Sequence, residues 1–185
     1  MLGCMPTGRL PRDTPRRQAT LAEARAIAHP DRLRIIRLTF DGALTNKQLA
    51  DALGRDPATT LHHVRTLVDT GFLEALPARR GARGAREVPY RSTGKSWTLT
   101  FGTDLDQGGA MVDALRAELA DSPPEERRLT RLALRLSPEQ RARLEEGFKA
   151  LIDEAASWDP LPDGEPWALF VALHPRRVPD TPDGD

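Results

Sequence analysis

Apolar residues fall at helical spacing along the first half of the chain and alternate along parts of the second. Thr20-x-x-Glu23 forms a capping box that predicts a helix through Ala28, ended by Pro30. Asp31 is placed to cap a second helix carrying Leu33, Ile35, Ile36 and Leu38, closed by Gly42. Thr45-x-x-Gln48 is a second capping box, opening a short helix with Leu49, Ala50 and Leu53 inward. After Gly54, Asp56 caps a helix with Pro57 at its first position, running to Thr70. Gly71 predicts a left-handed end, with Phe72 folding back towards Leu67. Two short helices over 46–53 and 57–70 around a glycine turn make a helix-turn-helix. Residues 72–76 and 88–92 then read as strands flanking a basic tip at 79–86, with Pro89 demoting the second strand to an edge. A helix-turn-helix followed by such a hairpin is a winged helix.

The second half reads strand, helix, strand, helix, strand. A strand is expected over 96–101 and a helix over 107–120, with Met111, Ala114, Leu115 and Leu119 along one stripe. Leu132, Leu134 and Leu136 alternate, as in a strand with one dry face. Ser137-Pro-Glu-Gln140 opens a helix with Leu144, Phe148, Leu151, Ile152 and Ala155 as its stripe, and the unbroken apolar run 167–173 reads as a buried strand. The fold class is therefore α+β: an unstructured basic arm (1–19), a winged helix (20–95), a small dimerisation or effector module (96–176) and an unstructured tail (177–185).

Charge sharpens this picture. The 185 residues sum to zero net charge, yet residues 1–95 hold 17 Lys/Arg against 9 Asp/Glu while the rest reverse the balance. Of the 27 cations, 24 are arginine, the residue suited to bidentate phosphate and guanine contacts. A basic first half is expected to meet a polyanion. The longest apolar run has seven residues, far below the ~20 of a membrane helix, so a soluble cytoplasmic chain is expected. Cys4 is the one cysteine, which leaves no internal disulfide and no cysteine-rich zinc pattern.

Within the predicted recognition helix, Thr60, Val64, Leu67 and Val68 belong inward and His63 against the core. Ala58, Thr59, Leu61, His62 and Arg65 are left facing outward, Thr59, His62 and Arg65 to hydrogen-bond bases or phosphate and Leu61 to touch a thymine methyl. Thr45 and Lys47 join them from the preceding helix. Arg79, Arg80, Arg83 and Arg86 on the wing suit a narrow minor groove without base-specific bonds. His62 and His63 point about 100° apart on a helix and cannot share a metal as a pair, and no metal or cofactor is assigned. Trp97, Phe101, Phe148, Trp158, Trp167 and Phe170 could line an effector site, but they read more simply as core, and no ligand is assigned. Catalysis is not expected. Thr93-Gly-Lys-Ser96 resembles the end of a phosphate loop, but Pro89 stands where that motif needs glycine.

The stretches Ala26-Ile-Ala-His-Pro-Asp-Arg-Leu-Arg-Ile-Ile36, Leu44-Thr-Asn-Lys-Gln-Leu-Ala-Asp-Ala-Leu-Gly54 and Pro57-Ala-Thr-Thr-Leu-His-His-Val-Arg-Thr-Leu-Val-Asp-Thr-Gly-Phe-Leu73 resemble the ArsR-type winged-helix repressors. The resemblance covers residues 20–92. It implies a dimeric, cytoplasmic transcription factor, a repressor rather than an activator, on palindromic double-stranded DNA. Two departures stand out. Residues 50–55 lack the cysteines of the family's metal sensors, and Leu61 replaces a small polar residue. From the residues alone, a winged-helix protein–protein adaptor is the alternative, and a sensor-enzyme a third reading.

Overall fold

The computed structural model describes residues 15–80, 86–101, 107–158, 161 and 163–175. The expected tail (177–185) and most of the expected arm (1–14) lie outside the described residues. Within the arm, β1 (Arg17–Gln18) is paired with a strand of the second half. Helix α1 (Leu21–Ile27) starts on the Thr20 capping box, with Thr20 Oγ1 accepting the Glu23 amide and the Glu23 carboxylate accepting the Thr20 amide.

Helix α2 (Pro30–Leu38) begins two residues earlier than expected. Pro30 opens it rather than merely closing α1. The cap is His29, not Asp31: its Nδ1 accepts the Asp31 amide at 3.2 Å. Proline's fixed φ suits a first helical turn, where its missing donor costs nothing. Next come β2 (Leu44–Thr45), α3 (Asn46–Leu53) and α4 (Pro57–Asp69), with Gly54 left-handed at φ 62° between the two helices.

Helix α4 ends in a Schellman motif. The Phe72 amide donates to Leu67 C=O at 2.8 Å and the Gly71 amide to Val68 C=O at 2.9 Å. Gly71 sits at φ 75°, and a Cβ there would meet Lys95 Nζ at 3.3 Å. Gly71→Ala is therefore expected to cost about 1–2 kcal/mol, measured by urea unfolding, because an L side chain is strained in this region.

Strands β3 (Leu73–Ala75), β4 (Arg79–Arg80), β5 (Arg86–Glu87) and β6 (Pro89–Ser92) complete the wing. The main sheet has the order β2-β6-β3, antiparallel throughout. β6 is thus the central strand, not the edge that Pro89 suggested. Pro89 is its first residue, where only an acceptor is required: Pro89 C=O takes the Leu76 amide at 2.8 Å.

A 3₁₀ turn, Lys95–Thr98, occupies the first half of the segment expected to be a strand, leaving β7 (Leu99–Thr100) parallel to β1. Gly94, left-handed at φ 73°, starts the turn, and Thr98 Oγ1 donates to Lys95 C=O. Helix α5 (Gln107–Asp121) packs on α2 and α1 through buried Ala110 and Ala114. Arg34–Asp121 (2.6 Å) and Arg37–Glu118 ion pairs flank the contact. The core comprises Ala26, Ile27, Ile35, Leu49, Leu53, Val64, Leu67, Phe72, Leu73 and Leu99, so it draws on every helix of the first half and on β7.

The mixed α+β class holds, and the second half continues with a 3₁₀ turn (Pro124–Glu126) and α6 (Pro138–Ser157), which starts on the Ser137 capping box. Segments 129–136 and 167–173 carry no strand pairing. Alternation provides one apolar face, but a strand also needs a partner's backbone to take its amides and carbonyls. Leu132, Trp158 and Trp167 stay more than 60% exposed. Leu134 and Leu136 meet Leu144, Phe148 and Leu151 of α6 along a groove of about 460 Å³. Among the described residues, no helix is long and apolar enough to cross a membrane.

Candidate nucleic-acid interface

Helix α4 is sided. Thr60, His63, Val64 and Leu67 are buried, while Ala58, Thr59, His62 and Arg65 are exposed, and Leu61 is half-buried at the margin. The buried side is held at both ends. Thr60 Oγ1 donates to Asp56 C=O, and the C-terminal end is closed by the Schellman bonds. At the N-terminus, Asp56 Oδ1 accepts the Ala58 and Thr59 amides at 2.8 and 3.3 Å. Those donors are therefore occupied, and the anion-holding capacity of a free helix end is reduced here. Thr59, His62 and Arg65 are the polar side chains of the exposed face. Their hydroxyl, ring nitrogens and guanidinium can reach base edges or phosphate.

Helix α3 is locked to α4 by Asn46 Nδ2, which donates to Pro57 C=O at 2.9 Å. Lys47 is exposed and paired with Asp51 at 2.6 Å, which raises its pKa. Thr45 differs from the other predicted contacts. It is buried, and its hydroxyl accepts the Gln48 amide as the cap of α3, so it is not placed to make the contact expected of it.

On the wing, Arg79, Arg80 and Arg86 are exposed, and Arg83 lies outside the described residues. The register sets Arg79 opposite Glu87 but Arg80 opposite Arg86. Two guanidinium groups facing each other across a hairpin repel, and an anion between them relieves that repulsion. Arg91, by contrast, is engaged with Glu74 at 2.8 Å.

The structure also gathers three ligand-type side chains that sequence spacing kept apart: His29, Asp31 and His63. No local motif joins them, since 34 residues separate the two histidines. Only the packing of the α2 start on α4 brings them together.

Residues 27–74 match the family model of a helix-turn-helix domain. The segment is a helix-turn-helix domain. The match spans α2 to β3, and the chain resembles ArsR-type regulators over the same stretch. With β3 and β6 behind it, the domain is a winged helix-turn-helix. The chain is also similar to a homodimeric winged helix-turn-helix DNA-binding domain from Mycobacterium bovis, a possible ArsR-family transcriptional regulator, at 26% identity over 52% of this chain and 73% of that one, TM-score 0.32. A second similarity is to the adhesin competence repressor of Streptococcus pyogenes, at 16% identity over 69% and 80%, TM-score 0.32. Comparison with curated proteins gave no match.

Proposed function

We propose that the chain is a sequence-specific transcriptional regulator of the ArsR type. It binds a palindromic operator as a homodimer in the cytoplasm and acts as a repressor. The observation that carries this reading is the exposed face of the helix-turn-helix domain's second helix: Thr59, His62 and Arg65 project from a helix whose opposite side is buried. Arg79, Arg80 and Arg86 add affinity from the wing, with Lys47 beside them. Leu61 supplies an apolar contact at the margin. The sign of regulation rests on the motif resemblance.

Dimerisation has a separate support. The unpaired segments 129–136 and 167–173 and the exposed Leu132, Trp158 and Trp167 give a second copy apolar surface to cover. A symmetric pair would set its two recognition helices about 34 Å apart, one turn of duplex. The 96–176 region is thus the proposed dimerisation or effector module.

The test compares two variant sets in duplex-binding titrations over a salt series. A dimer contacting ~6–10 phosphates loses ~10³–10⁵ in affinity between 50 and 200 mM salt. Replacing Arg79, Arg80 and Arg86 with alanine is expected to weaken binding across sequences and to flatten the salt slope by about one unit per lost phosphate contact. Thr59→Ala and His62→Ala are expected to change sequence preference instead. If neither set alters duplex binding, the reading fails and a protein–protein adaptor takes its place.

A further inference from the structure

We propose that His29, Asp31 and His63 form a binding site for a divalent transition-metal ion of the zinc class. One ligand atom from each of the three residues lies within 4.8 Å of the others. The imidazole rings of His29 and His63 are 4.4 Å apart between centroids and tilted by 46°.

The observation that points to a ligand is His63. It is only 7% exposed, and its Nδ1 is buried without a hydrogen-bond partner. An orphaned buried nitrogen keeps its desolvation cost uncompensated and calls for an ion or a water. A bound cation satisfies it directly. Two imidazoles and one carboxylate suit zinc and its neighbours, and they leave a fourth position open.

The electrostatics favour the ligating form. Burial lowers the pKa of both His29 and His63, which disfavours the protonated ring that cannot ligate. Asp31 is buried, and its Oδ2 accepts Arg55 Nε at 3.0 Å. A metal would compete with Arg55 for that carboxylate.

The donor set is wider than the bound one. Zinc–nitrogen distances of ~2.0–2.1 Å place tetrahedral donors about 3.3 Å apart, so donors now up to 4.8 Å apart close by up to about 1.5 Å on binding. His29 has the freedom for this. It is half-buried at a helix start, and its Nδ1 holds only the Asp31 amide, a bond that yields if this nitrogen turns to the metal.

The site ties the start of α2 to the buried side of α4, one residue from His62. It needs no cysteine.

The experiment is a Co²⁺ titration of the full chain, followed by visible d–d absorption and then by displacement with Zn²⁺. The expected result is one tight equivalent in the parent chain. In His29→Gln affinity should fall by at least about 100-fold, since even outer-shell changes cost 10–100-fold. Asp31→Asn should fall similarly, while His62→Gln and Cys4→Ser should bind unchanged. Zn²⁺ should also raise the melting temperature of the parent but not of His29→Gln, whose fold is checked by circular dichroism without metal. No d–d band in the parent, a band untouched by His29→Gln, or a band abolished by Cys4→Ser would each overturn the proposal.

Discussion

Phe72→Ala is expected to destabilise the winged helix by about 3–5 kcal/mol, read by urea unfolding followed by circular dichroism. The ring is 1% exposed at the heart of the core. Its backbone works as hard as its side chain: the amide closes the Schellman motif on Leu67, and the carbonyl accepts the Thr93 amide at 3.1 Å. Lys95 Nζ stands 5.4 Å above the ring and donates to Thr70 C=O. Truncation thus opens a cavity where the recognition helix, the wing and the following turn meet. Small domains hold only ~5–15 kcal/mol in total, so this variant should approach the folding threshold near 37 °C. A loss below 1 kcal/mol would mean that the core is not centred there.

Glu23→Gln is expected to cost about 2–3 kcal/mol at pH 7. Breaking a fully buried ion pair costs about 3–5 kcal/mol, and the half-exposed Arg17 lowers that figure. The carboxylate is 6% exposed. It takes two bonds from Arg17, at 2.7 and 2.9 Å, one from Lys95 Nζ at 2.7 Å and one from the Thr20 amide at 2.8 Å. The Arg17 hydrogen bonds hold its carboxyl far below the usual carboxylate range, with Lys95 and Thr20 assisting against the opposing effect of desolvation. A depressed folded pKa stabilises the fold above the unfolded value of ~4.3. That contribution is lost as pH falls below it. The gap between parent and variant should therefore be full at pH 7 and shrink steadily on acidification through pH 4 towards pH 2. A gap independent of pH would show that packing, not charge, holds the site.

Local chemistry made much of the helix-turn-helix legible. The capping boxes at Thr20, Thr45 and Ser137, the Asp56 cap and Gly71 each act within four residues, so spacing alone exposes them. What spacing concealed was non-local. Pro89 reads as an edge until the partner strands show that its missing donor faces no acceptor. His29 reads as the residue before a proline until its ring is seen to cap α2. Thr45 reads as an available hydroxyl until its own helix claims it. The exposed face of α4 followed from helical period, yet the meeting of His29 and Asp31 with His63 required two helices to cross. The alternating leucines at 132, 134 and 136 mark a face, but not the chain that would pair with it.

Helix α5 meets the body through Ala110 and Ala114, and small side chains are what let two helical backbones approach closely. Over its 15 residues, about 22 Å long, the contact lies on one flank. A leucine at either position would act as a wedge near a fulcrum, and a small displacement there would be magnified towards the far end. The seat of α5 thus turns on two methyl groups, with the Arg34–Asp121 and Arg37–Glu118 pairs as its outriggers.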